Sequence, residues 1–179
     1  MIESIERVTP AVALFVFIPF CRIKCTYCDF NVYANLARAM EPYADAVATE
    51  IASVGALCES PQAAKSIFLG GGTPSLLATA QIEKILRACE RSFAIQSDAE
   101  ITLEANPGTM NAAKMRDLRA LGVNRLSLGV QAFDEVTLKR LNRGHTVADA
   151  LKTLIEALST RSAIDVIRWC RSATDSADF

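Results

Sequence analysis

Apolar residues follow two patterns along the chain: short unbroken runs, and longer stretches in which they recur every three or four positions. Unbroken runs are typical of strands buried on both faces of a parallel sheet, and spaced stretches are typical of amphipathic helices. The runs predict strands at residues 13–18, 66–69, 100–104, 125–129 and 163–167. The spaced stretches predict helices at residues 42–57, 82–93, 115–121, 134–141 and 147–158.

The alternation of these strands and helices indicates βαβ units. Right-handed crossovers in such units place consecutive strands parallel to one another. We therefore predict the α/β class, with a parallel sheet or an incomplete parallel βα barrel of about four to five units. Residues 168–179, which follow the last predicted strand, show no clear hydrophobic period.

Residues that could form a ligand site lie at or just after the ends of the predicted strands. Cys21 follows the first strand, Gly71 the second and Gln131 the fourth, while Glu104 ends the third. Ligand sites of parallel α/β proteins lie at the carboxyl ends of the strands. We therefore expect these four residues to share one rim of the sheet.

Three cysteines, Cys21, Cys25 and Cys28, fall within eight residues in the spacing C-x3-C-x2-C. One tight loop of this kind can bring three thiolates onto three irons of a cubane cluster. A zinc ion is the alternative, but structural zinc usually takes four ligands, and Asp29 or His145 would have to complete the set.

Composition narrows the class of protein and its partners. The chain has 179 residues, 51% hydrophobic and 22% charged, which suits a globular protein with a core. Its 19 basic and 20 acidic side chains give no excess that would attract a nucleic acid or an anionic membrane. The longest early apolar run, residues 11–20, is about half a membrane span and has no basic segment before it, so we predict a cytoplasmic protein.

The other cysteines, Cys58, Cys89 and Cys170, stand alone along the chain. Six cysteines could form three disulfides, but the clustering of the first three fits a local metal site better. Cys89 lies in a helical apolar stripe and Cys58 at a helix end, so we predict structural roles for both.

Four further motifs support the interpretation of the cysteine loop as a cluster site. They are FLGGGTPSL at 68–76, LEANPG at 103–108, LSLGVQAF at 126–133 and NRGH at 142–145. With the loop, they resemble the radical S-adenosylmethionine (SAM) proteins over residues 14–147. Within that family the likeness is to the oxygen-independent coproporphyrinogen oxidases and the related HemW-type haem chaperones. The resemblance implies a partial barrel of radical SAM type that holds a [4Fe–4S] cluster and SAM.

The resemblance also implies a role for each motif residue. The three cysteines would bind three irons and leave the fourth open to SAM. Further contacts with SAM are implied for Tyr27, Gly71, Gly72, Thr73, Glu104, Gln131, Arg143 and, in the last strand, Asp165. Glycines let the backbone pass close to a ligand, and a guanidinium pairs well with a carboxylate.

Three positions depart from the family pattern. Members that oxidise coproporphyrinogen usually carry a fourth cysteine where this chain has Phe30. Phe15 and Phe17 occupy places where the family often has tyrosine and histidine. These changes weaken an enzymatic role more than a cluster-binding role, so the resemblance favours a haem-trafficking protein over a turnover enzyme.

The resemblance stops after Ile167, where family members continue with more barrel and a second domain. We therefore predict a partial radical SAM core at residues 1–167, a divergent tail at 168–179, and a truncated chain with poor stability or self-association.

Three functions are consistent with the resemblance. The first is HemW-like haem trafficking, with SAM and haem as ligands and an unknown haem-acceptor protein as partner. The second is the oxygen-independent oxidase acting on porphyrinogen, and the third is an inactive fragment.

Overall fold

The computed structural model describes residues 11–160 and the backbone of strand residues 163–168. The strands are β1 (Val12–Ile18), β2 (Phe20–Cys21), β3 (Tyr33–Ala34), β4 (Ala63–Gly71), β5 (Ala94–Ala105), β6 (Arg125–Gln131) and β7 (Ala163–Arg168). The helices are α1 (Met40–Gly55), α2 (Thr79–Ser92), α3 (Ala112–Ala120), α4 (Glu135–Arg140) and α5 (Val147–Ser159), with 3-10 turns at Ala37–Ala39 and Pro74–Leu76.

Five strands form one sheet in the order β1-β4-β5-β6-β7, and every neighbouring pair is parallel. Strand order thus follows chain order, as in a βα barrel, whereas a doubly wound sheet reverses direction partway. The predicted α/β class and partial barrel are confirmed. The short strands β2 and β3 form a separate parallel pair.

One face of the sheet packs against the helices and forms the core. We call it the core face, and its strand residues include Val16, Ile18, Ile67, Leu69, Leu103, Leu126 and Leu128. They alternate with a second set that side-chain alternation places on the opposite face. We call this the mixed face, and its residues include Phe15, Phe17, Phe68, Glu100, Thr102, Glu104, Arg125 and Ser127.

Strand β1 differs from the prediction of burial on both faces. It is an edge strand, and Phe15 on the mixed face is 64% exposed. The Phe15 ring stacks on Phe68 with centroids 5.7 Å apart. The unbroken apolar run therefore predicted the strand correctly, but the prediction that both of its faces are buried was wrong.

Strands β4 and β5 are longer than predicted. Strand β4 extends beyond the predicted residue 69 through Gly70 and Gly71, because their backbone stays in register with Phe17 and Ile18 of β1. The strand ends where Gly71 takes a φ of +115°, a conformation that favours glycine.

Polar caps set the beginnings of the later helices. Asn111, Asp134 and Thr146 accept hydrogen bonds from the backbone at the starts of α3, α4 and α5. None of the helices in the described part of the chain is long and apolar enough to cross a membrane. Apart from Arg168, the predicted tail at residues 168–179 lies outside the described residues, as does Cys170.

Candidate functional site

The predicted site residues meet at the carboxyl ends of the parallel strands. A cavity of about 460 Å³ opens there. Its walls include Cys21, Cys25, Tyr27, Cys28, Gly71, Gly72, Glu104, Gln131 and Arg143. Nine of the eleven residues singled out from the sequence therefore line one cavity.

The other two predicted residues have different positions. Thr73 lies beside the cavity wall, 2% exposed, and its Oγ1 donates to Cys21 Sγ at 3.6 Å. Asp165 is in register with Ser127 of β6, which is itself in register with Glu104 of β5. The side chain of Asp165 is outside the described part, so its predicted contact with SAM stays a prediction.

The cysteine loop begins directly after β1 and is closed by the pairing of β2 with β3. Residues distant in sequence hold it in place through backbone and side-chain hydrogen bonds. Thr26 N donates to Leu141 O at 3.3 Å, and Asn142 Nδ2 donates to Lys24 O at 2.9 Å. The loop is therefore anchored to the segment that follows α4.

The three thiols are free and half-buried. Burial raises the pKa of Cys21, while the Thr73 hydroxyl opposes this rise. No group of three or more His, Cys, Asp and Glu side chains among the described residues could hold a single metal ion. A cubane does not need such convergence, because each thiolate binds a different iron.

Glycine at position 72 is required by close packing against the cysteine loop. A Cβ there would lie 2.7 Å from Phe20 O and 3.1 Å from Cys21 Sγ. The neighbouring Gly71 donates its backbone N–H to Glu104 Oε2 at 2.9 Å. Any side chain at residue 72 would therefore push the loop away from β4.

Glu104 is half-buried, and its hydrogen-bond partner is a backbone amide rather than a cation. Burial raises the pKa of Glu104, and the hydrogen bond from Gly71 opposes the rise. A carboxylate held in this way at the cavity wall can accept further hydrogen bonds from a ligand.

Arg143 links the loop to the strand ends. Its Nη1 donates to Cys25 Sγ and to Tyr27 Oη, both at 3.2 Å. Its Nη2 donates to Asn106 Oδ1 and to Gly129 O, both at 2.6 Å. This places a fixed positive charge beside the cysteines.

Two buried side-chain atoms have no hydrogen-bond partner within the described part of the chain, Gln131 Oε1 and Arg143 Nε. Both residues line the cavity. Gln131 also has a φ of +71°, which is uncommon outside glycine. Unpaired buried polar atoms and backbone strain are both concentrated at functional sites in proteins.

His145 lies just before α5. It is 7% exposed, directly precedes the Thr146 cap of α5, and its Nε2 lies 3.1 Å from Val130 O. Burial is the main cause that lowers its pKa. Cys89 is fully buried in the core, as predicted, and Cys58 is half-buried in the turn after α1.

Asn106 and Ser127 are among the cavity residues that the sequence did not single out. Asn106 bridges Thr73 and Arg143. It stands before Pro-Gly, where an asparagine is ordinarily a turn residue. Ser127 lies inside an apolar strand, and only its register with Glu104 shows that it faces the site.

Comparisons with known proteins agree with this geometry. The profile of the radical SAM superfamily matches residues 15–166. The heme chaperone HemW of Escherichia coli is 39% identical over 156 residues, which cover 86% of this chain and 41% of that protein. The mouse radical S-adenosyl methionine domain-containing protein 1, mitochondrial, is 37% identical over 86% of this chain and 35% of its own length.

A solved structure is also similar to the chain. The coproporphyrinogen III oxidase HemN of Escherichia coli, described as a radical SAM enzyme, superposes with a TM-score of 0.79 at 30% identity. The match covers 87% of this chain and 37% of that one. The chain thus spans about two fifths of the length of the proteins it matches.

Proposed function

The chain belongs to the radical SAM superfamily, and from that premise we propose that its cavity binds a [4Fe–4S] cluster and SAM. One observation carries the proposal. The three cysteines, Tyr27 and five predicted contacts from the later motifs line the same cavity, although they come from segments spread over residues 21–143. The family implies both cofactors. Thiols suit the irons of the cluster, and the carboxylate, amide and guanidinium groups suit the polar parts of SAM.

Each residue has a proposed task. Cys21, Cys25 and Cys28 bind three irons, and the fourth iron is left for SAM. When reduced, the bound cluster supplies the electron that cleaves the sulfonium of SAM. Arg143 holds the carboxylate of SAM, since it lines the cavity and its Nε has no hydrogen-bond partner among the described residues.

The other contacts follow from hydrogen-bonding capacity. Glu104 accepts from SAM while its remaining oxygen stays on Gly71, and the unpaired Gln131 Oε1 accepts a further hydrogen bond. Tyr27, Gly72 and Thr73 complete the proposed set, together with Asp165.

We propose haem trafficking as the wider function, with haem as the cargo and an acceptor protein as the partner. The Escherichia coli relative is named a heme chaperone, and Phe30 stands where oxidase members carry a fourth cysteine. Phe30 lines the cavity and is 61% exposed, so it adds apolar surface there. The cytoplasmic location stays a prediction.

A second candidate function is oxidative decarboxylation of a porphyrinogen. The structural likeness to coproporphyrinogen III oxidase favours it. An anaerobic assay of porphyrinogen decarboxylation separates the two candidates. Product formation by the reconstituted protein would support the oxidase, and stoichiometric haem binding without turnover would support the chaperone.

The cofactor proposal is tested by anaerobic reconstitution with iron and sulfide, followed by visible and EPR spectra with and without SAM. We expect a cluster whose reduced EPR signal changes when SAM is added. A Cys21→Ala/Cys25→Ala/Cys28→Ala variant should lose the cluster, and Cys58→Ala should keep it. A cluster that persists in the triple variant would overturn the assignment of ligands.

A further inference from the structure

A path of hydrogen bonds joins two of the three cysteines through the side chain of Asn106. Asn106 Nδ2 donates to Thr73 Oγ1 at 3.0 Å, and Thr73 Oγ1 donates to Cys21 Sγ at 3.6 Å. On the other side, Asn106 Oδ1 accepts from Arg143 Nη2 at 2.6 Å, and Arg143 Nη1 donates to Cys25 Sγ at 3.2 Å. The amide is thus the middle group of this path, with one side chain between it and each sulfur.

The direction of each hydrogen bond follows from the chemistry of Arg143. A guanidinium only donates, so the carbonyl oxygen of Asn106 must face it and the NH2 group must face Thr73. Because Thr73 Oγ1 accepts from Asn106, its one proton is available for Cys21 Sγ. Both ends of the path therefore present a donor to sulfur, which favours negative charge on both sulfurs.

Packing fixes the amide in this place. A Cβ at Gly129 would lie 2.7 Å from Asn106 Oδ1, so the amide fits only because residue 129 is glycine. The Gly129 carbonyl also accepts from Arg143 Nη2 at 2.6 Å. Asn106 is therefore held by its two partners and by the backbone of β6.

We propose that Asn106 is a positioning residue that aims the Thr73 hydroxyl at Cys21 and the Arg143 guanidinium at Cys25, and thereby raises the reduction potential of the cluster. This inference rests on the proposed function, since it requires a bound cluster. Donors to cluster sulfurs stabilise the reduced, more negative state, and partners beyond the ligands tune such centres. None of the sequence motifs had assigned this role to Asn106.

The test compares reduction midpoints of the reconstituted full chain, titrated anaerobically with dithionite and followed by EPR. We expect Asn106→Ala to shift the reduction equilibrium about tenfold toward the oxidised state, which is about 59 mV for one electron. Asn106→Asp should shift it at least as far in the same direction. Its carboxylate would take the Thr73 proton away from Cys21 and would add negative charge.

Asn124→Ala is the matched control. Asn124 is also a half-buried amide with two side-chain hydrogen bonds, since it donates to Ala99 O at 2.8 Å and accepts from Ile101 N at 2.9 Å. It lies beside the amino end of β6, away from the cavity. Its loss should lower the unfolding midpoint and leave the reduction potential unchanged.

The outcomes separate this inference from the proposed function. If the wild-type chain forms no cluster, the proposed function fails. If the wild type and Asn106→Ala form clusters with equal potentials, or if Asn124→Ala shifts the potential as far, only the positioning role fails. If both Asn106 variants unfold before iron is added, the amide is structural and the inference is overturned. Folded variants that no longer load the cluster, beside a control that does, would support it.

Discussion

The two faces of the sheet differ in what their side chains accomplish. The core face presents branched aliphatic residues such as Leu69, Leu103 and Leu128, each fully buried against the helices. The mixed face presents aromatic, small and ionised residues, including the exposed Phe15 and the ion pair of Arg125 with Glu100 at 2.9 Å. Stability therefore depends on one face, and the chemistry lies at the end of the other.

The difference shows why the same strands can be both rigid and reactive. Alternation sends successive residues of a strand to opposite faces, so β5 contributes Leu103 to the core and Glu104 to the cavity. The core residue fixes the height and direction of the residue beside it. Substitutions on the two faces should consequently differ in size and in kind.

The largest effect is expected from a cavity in the core face. Leu103→Ala removes a fully buried side chain from the central strand and should lower the free energy of unfolding by about 2–5 kcal/mol. Urea unfolding followed by circular dichroism measures this loss. Leu158→Ala, on a side chain that is 67% exposed, is the control and should change stability by less than about 0.5 kcal/mol.

The next effect is a loss of stability at alkaline pH through Cys89. Burial raises the pKa of Cys89 from 9.0 to about 11. As pH rises, the thiol ionises in the unfolded chain before it ionises in the folded one. The stabilisation of the folded state by the protonated Cys89 thiol is therefore fully present below pH 9 and is lost as pH rises through about 11, for a total of roughly 3 kcal/mol. Unfolding midpoints at pH 8 and pH 11 should therefore differ less in Cys89→Ala than in the wild type.

Cys58→Ala serves as the control for that comparison, because it removes a half-buried thiol outside the core. It should keep the alkaline loss of stability. An equal alkaline loss in Cys89→Ala and the wild type would show that other groups cause it.

A smaller effect is expected from Gly72→Ala at the rim. The new Cβ would press on Phe20 O, a backbone atom, so the cysteine loop must shift. We expect a loss of about 1–3 kcal/mol together with a lower cluster yield, measured by unfolding and by iron content. Gly144→Ala meets only the flexible end of Ile23 at 3.2 Å and should load normally. Equal iron contents in the two variants would contradict the tight fit.

The smallest effect is expected from the ion pair on the mixed face. Glu100 and Arg125 are partly exposed, with side-chain exposures of 49% and 30%. Glu100→Gln should therefore lower stability by no more than about 1 kcal/mol, and less in high salt. A loss comparable to that of Leu103→Ala would mean that the mixed face contributes to folding as the core face does.

Much of the fold could be predicted because local patterns determine it. The apolar runs located five strands, and the spaced stretches located five helices, since each pattern reflects the period of its element. Which faces of the sheet the helices cover could not be predicted in the same way. The run at residues 13–18 is equally apolar on both faces, yet the exposed Phe15 shows that helices cover only one of them.

The candidate site likewise contains residues that could be predicted from the sequence and residues that could not. The cysteines, glycines and Glu104 stood out because their residue types and positions after strands are unusual for structural residues. Asn106 did not, because its importance comes from its contacts with Thr73 and Arg143, which lie far from it in sequence. Such long-range contacts leave no local pattern.

The anchoring of the cysteine loop has a consequence for the order of events during synthesis. Lys24 and Cys25 precede their partners Asn142 and Arg143 by 118 positions in the chain. At the usual speed of translation the partners are made roughly 6 to 24 seconds after the cysteines. The nascent thiols therefore pass this interval without their guanidinium and backbone anchors, so iron delivered before residue 143 has left the ribosome meets an unformed site.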